Sequence, residues 1–302
     1  MERVVPTSCY TWDLVEHKHE PPPQTVLRVL QDIAELNASP LEGIFISLQE
    51  NNVTTIHVLM VGSVGTPYEG GFFQFLLRCP PDYPLSPPRM SHITTDAGRV
   101  RFNVHLDRSG EVDVSTIGTA TGPGWTSAYG LASVLLSVQS VMGNRPYFNG
   151  LDKEKQPGDS DRYNEFVRHE TLRVAVCGQV ESALKKDPQC PPSFRHRILD
   201  CFLKMYDKYE NIAESRLHLT ATEMKDVYSP YPVGTFQFKQ LLVRLNALKM
   251  EVHKRNQATD TEAAKKAAEE AAEYEADLAL AQVAEFENED RLPPVYDQSE
   301  QR

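Results

Sequence analysis

Residues 68–88 constrain the fold more than any other stretch of the chain. Tyr68-Glu69-Gly70-Gly71 sets two glycines directly ahead of Phe72-Phe73-Gln74-Phe75. Glycine permits a tight turn, and the aromatic run after it reads as a strand. Pro80-Pro81-Asp82-Tyr83-Pro84-Leu85-Ser86-Pro87-Pro88 comes next. Proline has no amide hydrogen and a fixed φ, so this stretch leaves the sheet as a stiff crossing.

The flanking segments supply the rest of an α+β domain. Val26, Val29, Leu30, Ile33 and Leu36 recur at helical spacing, with Pro21 to Pro23 at the entry and Asn37 to Pro40 at the exit. Runs rich in β-branched and aromatic residues over 43–48, 54–61 and 72–77 predict three strands with short links, an antiparallel meander. A fourth, short strand is predicted over 90–94. Residues 101–124 show no period and frequent glycine, which predicts a long structured loop of the kind that often carries function. Apolar spacing then predicts helices over 128–142, 165–184, 197–212 and 235–252, with Pro188, Pro191, Pro192, Pro230 and Pro232 between the later ones.

Charge divides the chain. The net charge is −11, and residues 256–302 hold 13 acidic against four basic residues, a net of −9. An acidic chain of this kind argues against nucleic-acid binding. No apolar run approaches the roughly 20 residues that span a bilayer, and the first ten residues carry no secretory pattern. Cys9, Cys79, Cys177, Cys190 and Cys201 are odd in number and show no paired metal-ligand spacing. They read as reduced thiols of the cytosol or nucleus, with no metal site and no cofactor expected. Cys177 falls on an apolar helix face, and Cys79 closes a strand; both read as packing residues.

The Tyr-x-Gly-Gly-x-Phe strand and the Pro-x-x-Tyr-Pro-x-x-Pro-Pro crossing together resemble the core signature of ubiquitin-conjugating enzymes. Arg101-Phe102-Asn103, Gly110-Glu111-Val112, Ser115 and Gly118-Thr119-Ala120-Thr121-Gly122-Pro123-Gly124-Trp125 are similar to the active-site region of the Z-type members. Pro157-Gly158-Asp159-Ser160, Tyr163-Asn164-Glu165 and Arg168-His169-Glu170-Thr171 resemble the C-terminal extension of that subtype. The resemblance covers roughly 22–252. It implies a helix, a four-stranded antiparallel sheet and following helices. On that frame, residues 1–22 are an N-terminal extension, 23–150 the core domain, 151–255 a helical extension and 256–302 an Ala/Glu-rich acidic tail, partly helical or disordered.

The resemblance also says where chemistry belongs. In the family a cysteine after Gly-x-Val accepts ubiquitin as a thioester. Here that place holds Asp113, between Val112 and Val114. The family's asparagine eight residues earlier is His105, in Asn103-Val104-His105. A thiolate is both a good nucleophile and a good leaving group. A carboxylate would have to form a mixed anhydride that water destroys, so Asp113 cannot support the same exchange. His105 in place of the asparagine removes an oxyanion-side amide as well, although a histidine N–H can partly substitute. Ser115, two residues on, would share a side with Asp113 on an extended segment, and a Ser115–His105–Asp113 trio is the alternative catalytic reading.

Three functions therefore stand: a non-catalytic variant that binds ubiquitin-pathway partners, an active ubiquitin transferase using Ser115 or a displaced cysteine, and a divergent paralogue with an unrelated binding role. The partners implied are ubiquitin or a ubiquitin-like protein and a ubiquitin ligase. Ligases in the family grip the first helix and two loops, here Leu85 and Thr126-Ser127-Ala128. Basic residues on the first helix help dock the activating enzyme, but this helix offers Arg28 beside Asp32 and Glu35. In the tail, Pro293-Pro294-Val295-Tyr296 spells the Pro-Pro-x-Tyr motif that WW domains read, so Pro293, Pro294 and Tyr296 are partner-binding candidates.

Overall fold

A computed structural model of the chain describes residues 21–49, 52–122, 124–229 and 233–259. Helix α1 spans Pro23–Ala38, with proline in its first turn, where the missing amide hydrogen costs nothing. Strands β1 (Ile44–Gln49), β2 (Asn52–Val61), β3 (Phe72–Arg78) and β4 (Arg89–His92) form one antiparallel sheet in the order β1-β2-β3-β4. Helix α2 is Leu131–Val141. A continuous helical rod follows: α3 (Asp159–Glu170), a π-helical segment Thr171–Gly178, and α4 (Gln179–Lys185). Helix α5 is Pro192–Glu214, and α6 covers residues 238–259. The chain divides into two compact units, Met1–Lys249 and Met250–Arg302.

Both faces of the sheet are covered. Strand register aligns Ile44, Met60 and Phe73 on one side and Phe45, Leu59 and Gln74 on the other. Helix α1 packs on β2 and on α2. It buries Thr25, Val29, Asp32, Ile33 and Leu36. Leu30, which helical spacing predicts to be apolar-facing, is instead 42% exposed, and Leu27 is 66% exposed. The inward stripe runs through Val29, Ile33 and Leu36, one step round the helix from the ridge that carries Leu30.

The second face takes the later helices. The Arg197 guanidinium lies 3.8 Å from the Phe45 ring centre, Ser193 Oγ donates to Ser47 Oγ at 3.0 Å, and Gln74 Nε2 donates to Gln179 Oε1 at 2.5 Å. Tyr209 donates its hydroxyl to the Gly70 carbonyl at 2.8 Å. Gly70 has φ of 71°, and a Cβ there would stand 2.7 Å from both Met205 Cε and Tyr209 Cε1. The glycine pair ahead of β3 thus serves a turn and a close approach of α5 together.

Candidate functional site

Position 113 lies at the end of a small irregular loop hairpin. Isolated bridges pair Asn103 with Leu106 and Leu106 with Val112. The Asp113 amide donates to the His105 carbonyl at 2.9 Å. The side chains meet less closely, with His105 Nδ1 3.7 Å from Asp113 Oδ2, at 23% and 41% exposure. That is too long for a hydrogen bond and fits an ion pair when the imidazole is charged. Asn103 anchors the loop from beneath. It is fully buried, accepts the His105 amide at 3.1 Å and donates to the Tyr68 hydroxyl at 2.9 Å and the Val141 carbonyl at 2.8 Å. Tyr68 in turn donates its hydroxyl to the Phe102 carbonyl at 2.9 Å. The tyrosine of the Tyr-x-Gly-Gly run therefore holds the residues that precede position 113.

Ser115 does not join the pair. Extended geometry ends at Val114, and Ser115–Ile117 is a turn of 3₁₀ helix closed by Gly118 at φ 77°. The turn rotates Ser115 away from the alternation that would put it beside Asp113. Its side chain faces Gly122, where a Cβ would lie 3.1 Å from Ser115 Oγ. Among the described residues no hydrogen bond joins Ser115 Oγ to His105 or Asp113. Thr119 holds the turn, accepting the Val114 amide at 2.9 Å and donating to the Val112 carbonyl at 3.1 Å. A groove of about 670 Å³ lies beside it, between the proline crossing and residues 109–119.

Among the described residues, no cysteine is an exposed thiol. Cys79, Cys177 and Cys190 are buried, and burial pushes their thiols up to about 12, about 12 and about 11. Cys201 is half-buried and shifted the same way. Each is held as the unreactive thiol. Cys9 lies outside the described residues. His169 is buried in α3, where Nδ1 meets Glu170 Oε1 at 2.8 Å and Nε2 accepts the Gln237 amide at 3.0 Å.

The partner-binding candidates group at one end of α1. Leu85, on the proline crossing, is 78% exposed, and Thr126, Ser127 and Ala128 are all exposed. A knot beneath ties both loops to the helix. Asp32 is buried; it accepts the Tyr83 hydroxyl through Oδ2 and Arg28 Nε through Oδ1 at 2.8 Å. Arg28 also donates to the carbonyls of Ser127 at 3.3 Å and Tyr129 at 2.8 Å. Trp125 Nε1 donates to the Pro84 carbonyl at 2.9 Å. Sequence reasoning missed Asp32 and Tyr83 as anchors, though the Arg28/Asp32 spacing of four and the crossing's tyrosine were both visible. Arg28, set against Asp32 and Glu35 in the sequence, has its guanidinium bonded inside the fold. Pro293, Pro294 and Tyr296 lie outside the described residues.

The sequence matches known proteins over most of its length. The family model for ubiquitin-conjugating enzymes matches residues 28–171. Ubiquitin-conjugating enzyme E2 Z of Danio rerio is 43% identical over 245 residues, covering 80% of this chain and 72% of that protein. The Homo sapiens E2 Z is 43% identical over 252 residues, covering 83% of this chain and 69% of its own. The structure of human ubiquitin-conjugating enzyme E2 G1 aligns at 32% identity and a TM-score of 0.36, covering 41% of this chain and 98% of that one. On its identity to the E2 Z proteins and the share of their length that it spans, the chain belongs to the ubiquitin-conjugating enzyme family.

Proposed function

We propose that this chain is a non-catalytic member of the family, which binds ubiquitin-pathway partners and does not carry ubiquitin as a thioester. The observation that carries the reading is Asp113. Its carboxylate occupies the place that the resemblance gives to the thioester-forming cysteine, with His105 beside it in place of the asparagine. The burial of Cys79, Cys177 and Cys190 and the 3₁₀ turn that sets the Ser115 side chain against Gly122 support it, because neither group stands beside position 113 as an alternative nucleophile.

What remains is a binding surface. Leu27, Leu30 and Leu85 present exposed apolar area where ligases grip members of the family. The same helix offers no free cation to an activating enzyme, since Arg28 is bonded internally and its other exposed neighbours are neutral or acidic. The chain would thus compete for ligases without being charged. The Pro-Pro-x-Tyr motif at Pro293, Pro294 and Tyr296 would add a WW-domain protein to its partners. Ubiquitin or a ubiquitin-like protein is the remaining partner, and the cytosol or nucleus the compartment. Incubation with activating enzyme, ATP and ubiquitin tests the reading: no thiol-sensitive adduct is expected. An ATP-dependent adduct that disappears with reductant would overturn it.

A further inference from the structure

Two irregular stretches of backbone meet across one cavity. The first is Asp96-Ala97-Gly98, three successive residues with φ of 52°, 54° and 81°. Glycine takes that region cheaply and aspartate on occasion, so Ala97 is the strained residue of the three. The second is the π-helical segment Thr171–Gly178 between α3 and α4. Insertions of this type recur at functional sites in other proteins, and so does strained backbone. Asp96 Oδ2 and Arg173 Nη2 join the two at 2.8 Å. The cavity measures about 460 Å³, within the range of small-molecule sites.

Its charges are unlike those of the chain as a whole. Four guanidiniums, of Arg99, Arg101, Arg108 and Arg173, face three carboxylates, of Asp96, Glu170 and Asp226, in a protein of net charge −11. Two of the carboxylates are engaged already. Asp96 bonds Arg99 at 2.6 Å as well as Arg173, and Glu170 bonds Arg173 at 2.5 Å and His169 at 2.8 Å. The third, Asp226, is buried, and burial pushes its carboxyl up, toward the neutral form. Arg101 pairs with Asp107 at 2.8 Å. Arg108 is exposed and has no hydrogen bond or ion pair among the described residues.

We propose that this cavity is a binding site for a phosphate-bearing ligand, anchored by Arg108 with Arg99 and Arg101 beside it. Planar guanidiniums match phosphate oxygens two at a time, which is why arginine serves this chemistry. The three arginines come from one loop, residues 99–108, and that loop leads into the position-113 segment. The Asp107 amide donates to the Glu111 carbonyl at 3.0 Å, and the Asp113 amide to that of His105. An occupied cavity therefore steadies residues 101–113. The phosphate can belong to a small molecule or to a phosphorylated side chain of another protein. The site does not depend on the non-catalytic reading above.

Calorimetric titration of the full chain, at constant ionic strength, tests it with inorganic pyrophosphate in one arm and a short phosphoserine peptide in the other. Saturable binding is expected. Arg108→Ala, or Arg108→Gln if the first variant folds poorly, should weaken it about tenfold or more. Arg145→Ala should leave it unchanged, because Arg145 stacks on Phe148 and does not line the cavity. Hydrogen exchange across residues 101–113 should slow on binding. Tighter pyrophosphate binding identifies a small-molecule phosphate, and tighter peptide binding a protein-borne one. No saturable binding in either arm, or equal losses from the Arg108 and Arg145 variants, would overturn the site.

Discussion

Asp113 and His105 are neighbours in two ways: amide to carbonyl at 2.9 Å, and carboxylate to imidazole at 3.7 Å. The backbone bond closes the loop at position 113, and the site carries a carboxylate rather than a thiol. Asp113→Cys with His105→Asn should give a thiol that a maleimide labels readily, since position 113 is well exposed. On the proposed reading, charging by an activating enzyme should nevertheless stay low, because Arg28 is the one basic residue of α1 and is bonded within the fold. Adding Leu30→Lys and Gln31→Arg on the exposed face of α1 should raise the charging rate about tenfold, in the range of electrostatic steering. Full charging of the double variant without those lysine and arginine substitutions would refute the docking part of this account.

His92 gives the fold a pH dependence of known sign. It is fully buried on β4 among Phe73, Phe75 and Phe102, and both ring nitrogens lack partners among the described residues. Burial drives its pKa down to about 3 from an ordinary 6.5. Between those values the unfolded chain binds the proton and the folded one does not. Stability is thus intact above the unfolded pKa and falls as pH drops below it, by up to about 1.4 kcal/mol per pH unit. His57 is shifted the same way and adds to the trend. His92→Phe should reduce the slope by one proton's worth and raise stability at neutral pH by roughly 1 kcal/mol, as it removes two unpaired polar atoms. Urea unfolding at pH about 7 and about 5 measures both; an unaltered slope would show that His92 does not titrate on unfolding.

Asp32 is expected to hold the partner surface together. Asp32→Asn leaves Arg28 without its carboxylate and weakens the Tyr83 bond. Breaking a buried pair costs about 3–5 kcal/mol; Arg28 is partly exposed, so roughly 2 kcal/mol is the expected loss. The proline crossing should loosen with it. In a Trp12→Phe background, Trp125 fluorescence reports this, since its indole bonds the Pro84 carbonyl. Unchanged emission together with full stability would mean that the knot is incidental.

How far the sequence could be read depended on what sets each feature. The helix–meander–helix order followed from period and turn chemistry, because β3 and the proline crossing are specified locally. Helix α1 was placed correctly, but not its facing: spacing alone does not say whether Leu30 or Ile33 points inward. The segment around 165–184 read as an ordinary helix. Its π-helical insertion does not alter which residues are apolar, and so leaves no periodic trace. An extended run would put Ser115 on the side of Asp113; the 3₁₀ turn that breaks this alternation is held by Thr119 and Gly118, neither of which carries a helical signal. The Arg28–Asp32–Tyr83 knot and the approach of α5 to Gly70 join distant residues, which no local pattern reveals.

The tail motif is open to a direct test. Pro293-Pro294-Val295-Tyr296 spells the motif that WW domains read, and such ligands bind as polyproline II with the tyrosine filling a neighbouring pocket. A peptide covering residues 288–301 should bind a ligase WW domain with a Kd in the micromolar range, on the order of −8 kcal/mol. Tyr296→Ala should abolish it. Equal titration curves for the two peptides would remove the WW partner.

Gly70→Ala separates two costs at the seam between sheet and α5. The first is conformational. At φ 71° an alanine loses roughly 1–2 kcal/mol whatever surrounds it. The second is steric, since the new Cβ would stand 2.7 Å from Met205 Cε and Tyr209 Cε1. A methionine terminus swings aside cheaply. The Tyr209 ring does not, because it is buried, stacks on Phe202 at 5.9 Å and is tied by its hydroxyl to the Gly70 carbonyl. The variant should lose about 3 kcal/mol in all, the sum of the dihedral cost and an overpacking cost of similar size. Adding Met205→Ala should recover only a minor part of it. Recovery of the full loss would mean that the clash with methionine was the whole effect, and that neither φ nor the Tyr209 ring constrains this position. A loss below about 1 kcal/mol would mean that α5 does not press on the turn at all.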